Sequence, residues 1–149
     1  VDPVEARREQ ALQLGATAAV GPEDLKSTMR ELLPEGADYA FDAVGAPETT
    51  GLALRWTRSG GSCVVVGLPA AGARLDLDPG EFNRREKWLT GTMYGSEDPA
   101  VALPVLLEHV RAGRLVLGPL LGPSFPLERV NDAIEASLAG SAGRVVVQP

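Results

Sequence analysis

Over residues 1–68, strand-forming and helix-forming stretches alternate, and this restricts the fold more than any other property of the chain. Residues 3–14 place Val4, Ala11 and Leu12 on one face among charges, and Gly15 closes the pattern as a C-terminal glycine does. The stretch 18–20 is strand-like. Gly21-Pro22 then opens a second helix carrying Leu25, Met29, Leu32 and Leu33, broken at residues 34–36. DYAFDAVG is a predicted strand running into a tight loop, and residues 47–57 a third helix, stopped by Ser59-Gly60-Gly61. SCVVVGLP is a continuous apolar run bounded by turn residues, as in a strand buried on both faces. With the opening Val1-Asp2 as the end of an earlier strand, the order is that of a parallel α/β sheet.

Beyond residue 68 the pattern changes. RLDLD is a predicted short strand, DPGEFNRREK a turn or short helix, and WLTGTMYG a strand with a central glycine. A helix is expected over 98–112, with Pro104 either tolerated near its first turns or kinking it. LVLGPLLGPSF reads as extended. A last amphipathic helix carries Leu127, Val130, Ile134 and Leu138, and residues 140–143 lead into the strand RVVV.

An acidic residue that leaves a strand just before a Pro and a helix is a candidate ribose ligand, because a carboxylate accepts hydrogen bonds from both vicinal hydroxyls. Asp2 is in that position, and it would repel a 2′-phosphate, favouring NAD over NADP. The alternative is a helix N-cap ahead of Pro3. A ribose-binding Asp2 places the glycine-rich phosphate fingerprint about 20 residues earlier, so the chain is expected to begin inside a dinucleotide-binding unit. Arg7 lies against the same ribose or is simply solvated. Val44 with Gly45, and Val66-Gly67-Leu68, stand at carboxyl ends of expected parallel strands, where open α/β sheets bind ligands; ordinary turns are the alternative. Arg144, between Gly143 and an apolar strand, either clamps a pyrophosphate or flanks the strand as a surface residue.

The formal net charge of −6 opposes a nucleic-acid or anionic-membrane partner. No apolar run approaches the ~20 residues of a membrane helix, and the expected compartment is the cytoplasm. One cysteine, Cys63, and one histidine, His109, form neither a disulfide framework nor a closed zinc site. Cys63 is expected in the core and His109 on an exposed helix face, so no residue of the chain is assigned a catalytic role.

In order, VDPVEARREQALQLGAT, GADYAFDAVG, TRSGGSCVVVGLP, EFNRREKWLTGTMYGS, AGRLVLGPLLG and PLERVNDAIEASLAGSAGRVVV resemble the C-terminal part of a zinc-dependent alcohol dehydrogenase of the medium-chain dehydrogenase/reductase superfamily. The resemblance covers essentially the whole chain. It implies an incomplete Rossmann-type, doubly wound parallel sheet lacking its first strand and glycine-rich turn. Residues 1–94 would be the partial NAD-binding domain, and residues 95–149 would return to a catalytic domain. It implies Asp2 as the ribose acid, Arg7 as its basic neighbour and Val44 as an adenine-side wall. Val66 and Leu68 would lie on the nicotinamide side, the backbone of Thr92 and Tyr94 would hold the carboxamide, and Arg144 would reach the pyrophosphate. The strand over residues 87–93 would join two copies into a homo-oligomer.

The implied reaction is NAD-dependent oxidation of a small alcohol, with a thiol adduct of formaldehyde among the possible substrates. The zinc would be held by residues outside this chain, leaving the chain alone inactive. Two other readings stay open: a zinc-independent, quinone-reductase-like protein using NADPH, which Asp2 opposes, and a non-catalytic nucleotide-binding or methyltransferase-like module.

Overall fold

A computed structural model describes residues 1–140 and 143–149. The chain forms two compact units, residues 26–99 and residues 1–25 with 100–149.

The first of these is built on a parallel sheet of β1 (Ala37–Asp42), β2 (Thr57–Val65) and β3 (Trp88–Gly91), in sequence order. Between β1 and β2 the chain crosses over through α3 (Pro47–Trp56), whose Pro47 stands in the first turn, where no N–H is needed. Leu54 of α3 and Cys63 of β2 are buried, Cys63 completely. Asp42, Val65 and Gly91 are aligned across the three strands, so the segments that follow them emerge side by side at the carboxyl edge.

Two expectations fail here. Ser59-Gly60-Gly61 does not stop the third helix; α3 ends at Trp56, and all three residues lie within β2. The register against β1 jumps from Ala37↔Thr57 to Tyr39↔Ser62, so the glycines form a bulge. A Cβ on Gly61 would sit 2.7 Å from Thr57 Cγ2 and 2.9 Å from the Asp38 carbonyl oxygen, which is why this bend takes glycine. RLDLD has the period of a strand, but among the described residues no strand pairs with it, and residues 73–78 carry no regular structure. The short helix expected after it exists as α4 (Gly80–Asn83).

In the other unit, β4 (Leu121–Pro126), α6 (Val130–Leu138) and β5 (Arg144–Gln148) make a strand–helix–strand unit whose two strands are parallel. Gly143, at φ +84°, presses on β4; a Cβ there would lie 2.8 Å from Gly122 N. The turn expected over 140–143 falls partly outside the described residues. Leu127 belongs to a 3-10 turn ahead of α6. Helix α1 (Glu5–Gln13) ends as expected at Gly15, at φ +99°, and the Gln10 side-chain amide donates to the Pro119 carbonyl.

The strand-like stretch 18–20 is reduced to one backbone hydrogen bond, Asp2 N–H to Val20 O at 3.1 Å. Gly21-Pro22 forms a turn, and α2 (Leu25–Leu32) starts three residues later. The 98–112 expectation is met by α5 (Pro99–Arg111), with Pro104 inside it. Along α5, Val101, Leu103, Val105, Leu106 and Leu107 are exposed. Among the described residues no helix is long and apolar enough to cross a membrane.

Candidate cofactor site

In the unit containing residues 1–25 and 100–149, three of the sequence candidates are involved in one locality. Arg7 and Arg144 line a single open depression of about 470 Å³, together with Gln10, Leu120, Ser137, Gly143 and Val145. Asp2 stands beside it through Arg7, with Oδ2 3.9 Å from Arg7 Nη1. Oδ1 accepts the Val4 N–H at 2.8 Å. Val4, not Asp2, occupies the N-cap position of α1, and Pro3 lies outside the helix. Asp2 therefore forms an Asx turn leading into the helix with one oxygen, while the other faces a guanidinium. Arg8 is occupied elsewhere, donating to the Asp2 and Pro3 carbonyls. Two guanidinium groups lining one depression form a donor set suited to a diphosphate.

In the unit of residues 26–99, the carboxyl edge of the sheet carries the other candidates. Val44, Val66, Leu68 and Tyr94 are exposed there, Tyr94 to 84%. Exposed apolar side chains gathered at the ligand-binding end of parallel strands form a wall suited to flat rings. Thr92 donates its N–H to Val65 O at 3.0 Å, which leaves its carbonyl as the remaining backbone group. Tyr94, Gly95 and Ser96 all have positive φ, at 50°, 76° and 60°.

Gly45 and Gly67 have a specific reason to be glycine. A Cβ on Gly45 would lie 2.5 Å from Gly67 C, and one on Gly67 would lie 2.3 Å from Gly45 N. The close approach at Gly45 is thus made to the neighbouring loop's backbone.

The residue that organises this edge went unnoticed in the sequence. Asp42 is buried; its Oδ1 accepts the N–H groups of Val44 (3.0 Å) and Gly45 (3.2 Å), and its Oδ2 accepts the Thr50 hydroxyl at 2.5 Å. Its backbone carbonyl accepts Val66 N–H at 2.8 Å and Gly67 N–H at 2.9 Å. Burial by itself would raise the carboxyl pKa, but the hydrogen bonds from Thr50, Val44 and Gly45 outweigh it and hold it below its ordinary 3.8. An aspartate closing a β-prone run with glycine three residues on was the available signal.

Lys87 was also missed as a structural residue. Its buried Nζ donates to the Leu54 carbonyl at 2.8 Å and pairs with Glu81 Oε2 at 2.7 Å, so a cation sits at the C-terminus of α3. The hydrogen bond from Lys87 lowers the Glu81 carboxyl below its ordinary value against a smaller opposing effect of burial. Burial raises the Cys63 thiol, as suits a core cysteine. His109 is half-buried rather than exposed, and its Nδ1 accepts from Arg114 Nε at 2.9 Å. Among the described residues no three of His, Cys, Asp or Glu come together as a metal site, so the residues present do not fit a zinc ion.

Known proteins agree with this architecture. S-(hydroxymethyl)glutathione dehydrogenase of Synechocystis sp. is 28% identical over 99% of the chain, and geraniol dehydrogenase of Castellaniella defragrans is 30% identical over 99%. The chain spans 41% and 40% of their respective lengths. Among solved structures, an alcohol dehydrogenase zinc-binding domain protein from Burkholderia ambifaria superposes with a TM-score of 0.91 at 28% identity, covering 99% of this chain and 40% of that one. Benzyl alcohol dehydrogenase from Acinetobacter calcoaceticus gives 0.91 at 26%, covering 98% and 41%. The resemblance drawn from the six sequence motifs holds, as does the Rossmann-type fold class. Residues 1–108 match the family model described as zinc-binding dehydrogenase, and the chain belongs to that family.

Proposed function

We propose that this chain is the cofactor-holding part of an NAD-dependent alcohol dehydrogenase, with residues 1–94 serving the nucleotide and residues 95–149 returning to a catalytic domain. The observation that carries the reading is the pair Arg7 and Arg144, remote in sequence, lining one depression beside the Asp2 carboxylate. The guanidinium groups of both would bind the pyrophosphate, and Asp2 would accept hydroxyl hydrogen bonds from the adenosine ribose. Val44, Val66 and Leu68 would supply apolar contact for the rings, and the backbone of Thr92 and Tyr94 would orient the carboxamide. NAD held there supplies the hydride acceptor for a small alcohol, with an aldehyde as product. Zinc, which the family name implies, would have to be held by residues outside this chain, and the chain alone would be inactive. The exposed apolar residues of α5 support a surface covered by another part of the enzyme.

The strand over residues 87–93, with β3 at the sheet edge, would pair with a second copy. Sedimentation of the full-length protein as a strict monomer at all concentrations would count against that. A cytoplasmic location accompanies this reading.

Asp2 provides the decisive experiment. In the full-length dehydrogenase carrying this chain, Asp2→Gly removes the ribose acceptor and the charge that repels a 2′-phosphate, leaving Arg7 to meet that phosphate. The ratio of kcat/KM for NAD over NADP should fall by about one to two orders of magnitude. An unchanged ratio would reduce Asp2 to its Asx turn.

A further inference from the structure

Five hydrogen bonds converge on Asp42, and they come from two different loops and a helix. Its carboxylate takes Val44 N–H, Gly45 N–H and the Thr50 hydroxyl, and its carbonyl takes Val66 N–H and Gly67 N–H. The loops it joins also touch backbone to backbone at Gly45 and Gly67, where neither tolerates a Cβ. The side chains those loops present, Val44, Val66 and Leu68, are exposed and have little packing of their own to fix them. Their positions therefore follow from the backbone beneath, and that backbone is tied to one buried residue, the 44–45 loop through its carboxylate and the 66–67 loop through its carbonyl.

We propose that Asp42 is a positioning residue: it sets the two strand-end loops as one rigid body and thereby fixes the apolar wall that receives the nucleotide. This rests on the cofactor reading above. The part Asp42 plays is that of an acceptor. An amide oxygen in its place keeps the Val44 and Gly45 N–H bonds, and the Thr50 hydroxyl can turn to accept from the amide nitrogen. An alanine keeps neither.

The test compares Asp42→Ala, Asp42→Asn and Thr50→Val in two measurements. In the first, hydrogen exchange is followed on the nucleotide-free chain. Asp42→Ala should speed exchange of the Val44 and Gly45 amides by about tenfold or more, with the β2 amides of Cys63 and Val64 changed far less. Asp42→Asn should restore protection, and Thr50→Val should fall between. In the second, steady-state kinetics of the full-length enzyme should give Asp42→Ala a KM for NAD raised about tenfold with a smaller change in kcat, rescued by Asp42→Asn.

Loop amides that keep their protection in Asp42→Ala overturn the proposal. So does equal acceleration of the Cys63 and Val64 amides, which would make Asp42 a general support of the sheet, and so does an Asp42→Asn variant no better than alanine. If Asp42→Ala does not fold, the Asn and Val variants give the same ordering. Loop amides that respond as described in a protein without affinity for NAD would support the coupling and refute the cofactor reading.

Discussion

Replacing Lys87 by Met keeps the buried aliphatic stem and removes only the ammonium, so its cost can be worked from three contacts. The hydrogen bond to the Leu54 carbonyl, 2.8 Å long and charge-assisted, is worth about 1.5–3 kcal/mol. The second carbonyl, of Arg55, stands 3.5 Å away and adds little. Breaking the 2.7 Å pair with Glu81 would cost about 3–5 kcal/mol if both partners were fully buried. Only the lysine is; the Glu81 side chain keeps 30% of its surface exposed and regains water, which brings that contribution near the ~1 kcal/mol of a surface pair. The total is about 2.5–4 kcal/mol, or a fall of about 1–2 M in the urea midpoint at unchanged slope.

Trp88 adjoins Lys87 and Trp56 ends the helix that it caps, so tryptophan fluorescence is a suitable probe. Glu81→Gln should cost less by itself, and Lys87→Met should cost less in that background than in the unsubstituted protein, because the pair is already gone. A Lys87→Met variant within about 0.5 kcal/mol of the parent would refute the idea that this ammonium holds the end of α3.

Further outcomes follow from the same contacts. Gly67→Ala, whose Cβ would strike the Val44–Gly45 backbone at 2.3 Å, should abolish soluble folded protein or lower Tm far more than Gly72→Ala. Gly72 at φ +80° has open space around it, so alanine there should cost only the ~1–2 kcal/mol of a left-handed non-glycine residue. Asp42 and Glu81 both have folded pKa values below their ordinary 3.8 and 4.5, so their contributions are complete above those values and lost as pH falls through the folded ones. Urea midpoints should accordingly stay level at mildly acidic pH and drop below about pH 4.5, with a shallower acid limb in Asp42→Asn and Glu81→Gln. Cys63 is completely buried, with its thiol pKa raised, so an aromatic disulfide reagent should label it only as fast as the protein opens; rapid labelling under native conditions would contradict its place in the core.

The alternation of elements was legible because FDAVG and SCVVVGLP carry strand chemistry within the segment itself, and Gly15 carries a helix stop. What failed depended on neighbours. Ser59-Gly60-Gly61 has the composition of a turn, and only the register of β1 beside it makes it a bulge. RLDLD alternates correctly, but a strand needs a partner that its composition cannot announce. The candidate site divides the same way. Asp2 and Arg144 were visible as charges at element boundaries and Arg7 as a charge early in a helix, and that Arg7 and Arg144 line one depression required the tertiary fold. Asp42 and Lys87 looked like ordinary charges because burial, which gives them their roles, is not a local property.

The contact between Gly45 and Gly67 also bears on how this surface can change over time. Shape is held there by two residues without side chains and by a carboxylate underneath, while the side chains that face outward at 44, 66 and 68 carry none of that burden. Those three positions can therefore be exchanged for other apolar residues without disturbing the frame that supports them. Divergence among relatives, or a library built in the laboratory, can alter what the wall prefers to bind, provided that residues 42, 45 and 67 are left alone.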